Sequence, residues 1–205
     1  MSDHPAAKPR GGVLTWALWG AALLGVAAVV YIMAQASFKP GQSGGLKDVA
    51  KGEMAKLVTP AEATVAPANT LYDAGGKELR IADLKGKVVV MNIWATWCAP
   101  CIIEMPTLAK LQAAYAGKPV EVVAVSIDTP DKVDKAKAFI AKHAPLKFYS
   151  DPNMKLPFAV TPPATGMPTT IIYGPDGLER GRVSGEADWS GKDAKAVIDR
   201  VLAES

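Results

Sequence analysis

Cysteine occurs only at Cys98 and Cys101 in this chain of 205 residues, inside the stretch WATWCAPC. Two thiols at that spacing admit three chemistries: a redox pair cycling between dithiol and disulfide, half of a zinc site, or a structural crosslink. A zinc site needs four ligands, and only His4 and His143 add imidazole nitrogens. His4 stands ahead of a long apolar run and does not reach the pair. A crosslink between such near neighbours closes too small a loop to stabilise a fold much. The redox pair is the reading these residues favour.

The flanking residues say how the pair is positioned. Val88 to Trp94 (VVVMNIW) is an apolar run broken only by Asn92, as expected of a strand buried on both faces. Met105, Leu108, Leu111 and Tyr115 fall at helical spacing over Cys101 to Tyr115. The cysteines therefore sit at a strand-to-helix junction. Residues three apart on a helix are neighbours, which brings the two sulfurs within disulfide reach. Pro100 suits a first helical turn, where its missing N–H costs nothing. The free N–H groups and the helix dipole favour a thiolate on the more N-terminal sulfur. Cys98 is thus assigned as the attacking nucleophile, and Cys101, one turn deeper, as the resolving thiol.

Around this junction the chain alternates strands and helices. TLY and ELRI flank a turn at Asp73–Lys77, and Val120 to Ile127 is a second buried strand. Asp131 to His143 is a Lys-rich helix with Val133, Ala136 and Ile140 on its inner face. Thr169 to Tyr173 and Leu178 to Val183 form a hairpin about Gly174–Gly177. A last helix follows, with Ser190 as N-cap and Asp193 completing a capping box. This order predicts an α/β fold, a central mixed sheet with helices on both faces.

Composition sets the remaining bounds. A net charge of +3, from 23 basic and 20 acidic residues mixed along the chain, does not suggest nucleic acid. From Val13 to Met33 there is no charged residue. As a helix this run is about 30 Å long, the thickness of a bilayer's hydrocarbon core. Lys8 and Arg10 before it assign the 1–12 tail to the cytoplasm. A cleaved signal peptide, cut after Ala36, is the rival reading, but its apolar core is normally only about 7–15 residues. The expected organisation is a tail over 1–12, a transmembrane anchor over 13–33, a linker with a short helix over 34–63, and a compact domain over 64–205.

Two further stretches accompany WCAPC: IIEMPTL after it, and GMPTTIIYGPDG with Met167-Pro168 ahead of a strand. Together with NIWATWCAPC they resemble the TlpA/ResA/CcmG group of anchored extracytoplasmic thiol–disulfide oxidoreductases, nearest to its TlpA branch. The resemblance covers roughly 64–205 and implies a thioredoxin-like fold with no cofactor beyond a redox-active Cys98–Cys101 disulfide. It implies a bacterial inner-membrane protein, single-pass, with its catalytic domain in the periplasm. Such proteins receive electrons from a membrane thiol transporter. They reduce protein disulfides of copper chaperones, oxidase subunits or apocytochrome c.

The same resemblance gives roles to residues that are plain by themselves. Pro168, an ordinary turn proline on the residues alone, becomes a cis proline facing the cysteines, and Met167 offers its backbone to a substrate strand. Asn92 stands where thioredoxin has a buried Asp and cannot take a proton from Cys101. Glu104, otherwise a surface residue of a first helical turn, becomes a carboxylate that raises the Cys101 pKa and relays its proton. Trp97 shapes the docking surface, whereas Trp94 is packing. His143 is read as a solvated helix end, and the lysines of 132–142 as a solvated face. The Pro-rich segment 158–166 approaches Pro168.

Two other function classes fit less well. A copper-binding module related to this group has a wider cysteine spacing and a downstream histidine, and no histidine follows His143. A disulfide-forming oxidant stabilises its nucleophilic thiolate strongly, often through a histidine that Ala99-Pro100 lacks. The topology is testable. Protease added to spheroplasts should digest a domain that was membrane-bound beforehand, and a mature N-terminus at Ser37 would establish cleavage instead.

Overall fold

The computed structural model describes residues 44–204. The tail and the apolar run over 13–33 lie outside the described residues. Among the described residues, no helix is long and apolar enough to cross a membrane.

In chain order the elements are α1 (Gly44–Val49), a 3-10 turn (Gly52–Lys56), β1 (Leu71–Asp73), β2 (Glu78–Leu79) and a second 3-10 turn (Ile81–Leu84). There follow β3 (Val88–Trp94), α2 (Ala99–Ala114), β4 (Val120–Ser126), a short 3-10 turn (Pro130–Lys132) and α3 (Val133–Ile140). The chain ends with β5 (Tyr149–Ser150), α4 (Leu156–Ala159), β6 (Thr169–Tyr173), β7 (Glu179–Ser184) and α5 (Lys192–Leu202).

One seven-stranded sheet runs in the order β2-β1-β5-β4-β3-β6-β7. Every residue of β3 and β4 is buried, which is why both read as continuous apolar runs. They pair in parallel from Val88↔Val120 to Trp94↔Ser126, as a crossover through α2 requires. On its other side β3 pairs antiparallel with β6, and β6 closes the edge as a hairpin with β7. The mixed sheet expected from the element order is therefore present.

Several local expectations are corrected. The strand β5 and the helix α4 are too short to leave a periodic signal, and β5 exists through pairing with β4 and β1. The helix expected over 131–143 is regular only from Val133 to Ile140. His143 is half-buried at its end rather than solvated, its ring 4.5 Å from that of Phe139. Ser190 does not cap α5. Its N–H and hydroxyl both donate to Asp188 Oδ1, at 2.9 and 2.6 Å, and the helix starts one residue later from Gly191.

The largest correction concerns where the domain begins. Thr64 was the expected start, yet Leu46, Met54 and Leu57 are all buried in the main core. Both α1 and the first 3-10 turn pack against α5. Gly52 enters that turn at φ +55°, and a Cβ there would crowd the Asp193 carboxylate, so glycine is favoured. Val58 and Val65 then form bridges to Arg182 and Leu178, covering the exposed edge of β7. Residues 44–63 are part of the folded unit. Met54→Ala, at a position with no exposure, should accordingly cost about 2–5 kcal/mol in urea unfolding. A true linker residue would cost almost nothing.

Candidate active site

The strand β3 delivers the chain to the cysteines, and the loop after it is pinned by a buried acid. Asp128, just past β4 and fully buried, accepts from the Thr96 N–H at 2.9 Å and from the Thr96 hydroxyl at 2.7 Å. Ser126 Oγ donates to the same carboxylate at 2.9 Å. These bonds set the turn Ala95–Trp97, from which α2 starts. Cys98 is the N-cap, Ala99 and Pro100 open the first turn, and Cys101 follows inside it.

Cys98 and Cys101 are joined as a disulfide, with their Cα atoms 5.3 Å apart. The Cys101 N–H donates to Cys98 Sγ at 3.3 Å. That contact is one of the helix-start N–H groups the residue spacing anticipated at the first sulfur. Cys98 is 7% exposed and Cys101 fully buried, so an incoming sulfur meets Cys98 first.

Glu104 lies three residues beyond Cys101 on the same buried face of α2. It is 2% exposed, not a surface residue of the first turn. Asn92 Nδ2 donates to Oε1 at 2.7 Å, and the Ala187 N–H and Trp189 Nε1 donate to Oε2 at 3.1 and 3.3 Å. Burial raises its pKa to about 7, against the three hydrogen bonds and the positive charge of Lys56, which favour the carboxylate. Such a group exchanges a proton near neutral pH. Asn92 also donates to Thr170 Oγ1 at 2.8 Å, tying β3 to β6 beneath the cysteines.

The β3–β6 register pairs Ile93 with Thr169, which puts Pro168 level with Trp94 at the cysteine end of the sheet. The Met167–Pro168 bond is cis, as the resemblance implies. Pro168 is buried and Met167 half-buried. Trp97 is 57% exposed and shares a groove of about 200 Å³ with Met154, Pro157, Phe158 and Met167. Phe158, which had no assigned role, is 72% exposed on the same groove. Arg182 holds the segment behind it, donating to the Thr161 and Pro162 carbonyls at 2.8 and 2.5 Å while paired with buried Glu179.

Three partners of the site were not anticipated. Asp128 carried a signal, an acid directly after a buried strand, where α/β folds place their sites. Ala187 and Trp189 carried none, because they reach Glu104 only through the packing of the loop before α5.

A disulfide at a helix start, one turn from a buried carboxyl, on a sheet of this order with a proline brought to the same end, defines a thioredoxin-fold redox protein. Residues 60–172, more than half of the chain, match the Redoxin family, and the chain belongs to that family. It is 32% identical over 117 residues to the thiol-disulfide oxidoreductase ResA of Bacillus subtilis, a match covering 57% of this chain and 63% of that one, just under two thirds of its length. It is 35% identical over 125 residues to ResA of Bacillus thuringiensis, covering 59% and 68%. Among solved structures it is similar to a Chlorobium tepidum protein described as the thiol:disulfide interchange protein DsbE, with TM-score 0.61, 28% identity, and 69% and 97% of the two chains covered. A DsbF homologue from Corynebacterium diphtheriae aligns with TM-score 0.60 at 25% identity, covering 71% and 92%.

The raised pKa of Glu104 has a consequence for stability. Between its ordinary value of 4.5 and about 7 the folded chain keeps a proton that the unfolded chain releases. The folded state binds more protons there, so its stability falls as pH rises through the window and levels off above it. The loss is on the order of 3 kcal/mol. In urea unfolding of the oxidised protein, Glu104→Gln should remove this slope, gaining on the wild type as pH rises. Parallel stability curves for the two proteins would contradict it.

Proposed function

We propose that this chain is a membrane-anchored thiol–disulfide oxidoreductase whose Cys98–Cys101 pair reduces disulfides of protein substrates in the periplasm. The observation that carries the reading is the cysteine pair at the start of α2, with the buried Glu104 carboxyl one turn below. In the reduced protein the Cys98 thiolate attacks one sulfur of the substrate disulfide. The Cys98–substrate bond forms, the substrate S–S bond breaks, and the first substrate thiolate leaves. Glu104 takes the proton of Cys101, whose thiolate attacks Cys98 Sγ. The Cys98–Cys101 disulfide closes, and the second substrate thiolate departs with the electron pair.

Substrate specificity in this reading lies on the groove beside the cysteines. A substrate strand pairs with the Met167 backbone while its side chains meet Trp97 and Phe158. The substrates are disulfides of copper-delivery proteins, oxidase subunits or apocytochrome c, and a membrane thiol transporter returns the electrons. The resemblance supports these partners, and the uncharged run Val13–Met33 supports the anchor. No cofactor beyond the disulfide takes part. Ala99-Pro100 between the cysteines adds no cation to hold the Cys98 thiolate, which favours the reducing direction.

Trapping tests the assignment. With Cys101→Ser, the full chain should accumulate a mixed disulfide with its substrate through Cys98, since the resolving attack is lost. Cys98 should also be the thiol alkylated at mildly acidic pH in the wild type. Accumulation of the adduct in Cys98→Ser instead would reverse the roles.

A further inference from the structure

Glu104 has a second neighbourhood, away from the cysteines. It is one of the residues lining a cavity of about 420 Å³, with Glu53, Lys56, Ile103, Thr107 and the loop Glu186–Asp188. Glu53 and Lys56 come from the 3-10 turn Gly52–Lys56, which Met54 anchors in the core. Both are exposed, so they stand on a fixed frame and reach the loop from the solvent side.

They grip that loop on both sides of Ala187. Lys56 Nζ donates to the Glu186 carbonyl, and the Asp188 N–H donates to Glu53 Oε2 at 2.5 Å. Between those points the Ala187 N–H donates inward to Glu104, with Trp189 Nε1 beside it. The Trp189 N–H donates to Thr107 Oγ1 at 3.1 Å, which itself donates to the Glu104 carbonyl at 2.7 Å. The loop is thus clasped between the turn outside and the Glu104 carboxyl inside.

The two openings of the site are separate. The residues that wall this cavity include none of those that line the Trp97–Met167 groove. A docked substrate covers the groove and Cys98, which is when the resolving thiol must lose its proton. The cavity remains available.

We propose that Lys56 is a positioning residue for Glu104: it holds the Glu186–Trp189 loop over the carboxyl and lines the cavity through which Glu104 exchanges its proton with solvent. This rests on the reading of Glu104 as the proton acceptor for Cys101. The proton leaves Glu104 for water on the cavity side, and no electrons move in the step. The charged groups around that path are Glu53 and Lys56 from the turn, Glu186 and Asp188 from the loop, and Lys110 of α2, whose charge reaches Asp188. Asn92 on β3 and the cysteine pair on α2 face Glu104 without a charge in the oxidised protein. Lys56 is the cation whose field acts on Glu104.

The test uses the full chain in detergent micelles, with the Glu104 carboxyl carbon followed by NMR and the pH profile of disulfide exchange measured alongside. Lys56→Met should raise the Glu104 titration midpoint, because the positive charge of Lys56 favours the carboxylate. The exchange profile should move with it, at an unchanged rate of Cys98 alkylation. Lys56→Arg, which keeps the charge and the donor, should retain the wild-type midpoint. A merely structural lysine would change stability and leave both profiles in place. An unmoved midpoint in Lys56→Met, while Glu104→Gln still abolishes the pH-dependent step, would overturn the role of Lys56 and leave that of Glu104 standing. A Glu104→Gln protein with an unaltered exchange profile would remove the proton-acceptor reading, and the role of Lys56 with it.

Discussion

A buried carboxyl group must be surrounded by donors, and Glu104 collects its donors from parts of the fold that have nothing else in common. Asn92 comes from the centre of β3, and Ala187 and Trp189 from the loop that leads into α5. Asn92 extends the same contact to Thr170 on β6. Losing any of these would leave a buried polar atom unpaired, which costs more than the bond itself contributes. The position of α2 on the sheet, the path of the chain into α5 and the depth of Cys101 are therefore tied to one side chain. Even so, the donors do not fully offset burial, and the carboxyl stays poised near neutrality.

Two depressions in the surface lie near this part of the fold. Trp97 and Met167 line the groove at the end of β3 and β6 to which the strand register brings Pro168. Ile103 and Thr107 of α2 line the other, with the loop before α5 and the first 3-10 turn. Asp128 fixes Thr96 and hence the point at which α2 starts.

The N-terminal segment gains importance in this light. It buries Leu46, Met54 and Leu57, covers the β7 edge through Val58 and Val65, and presents Lys56 to the redox helix. Gly181 on β7 has no side chain where Leu57 sits, since a Cβ there would come within 2.7 Å of it. A stretch that leads from the apolar run toward the domain thus belongs to the domain and borders its site.

The residue pattern alone was enough to place the cysteine pair at a strand-to-helix junction, Cys98 at the helix start, and the burial of β3 and β4. Those features are local, or periodic over a few residues, and any chain with that spacing shows them. Resemblance was needed for Pro168 and Glu104, because a proline before a strand and an acid in a first helical turn are common without it. The tertiary structure alone decided the rest. The two-residue strand β5 depends on partners in β1 and β4, and Ser190 is drawn away from the start of α5 by its hydrogen bonds to Asp188, which leaves Gly191 at the cap. KDVAKGEMAKLV, at 47–58, is no richer in apolar residues than the chain as a whole and has no strong period to announce it as core, yet Met54 is as buried as any residue of β3. Whether Glu104 is a surface acid or a buried one depends on Asn92, Ala187 and Trp189 closing over it. Burial of that kind is a property of contacts between distant parts of the chain, and spacing along it does not record them.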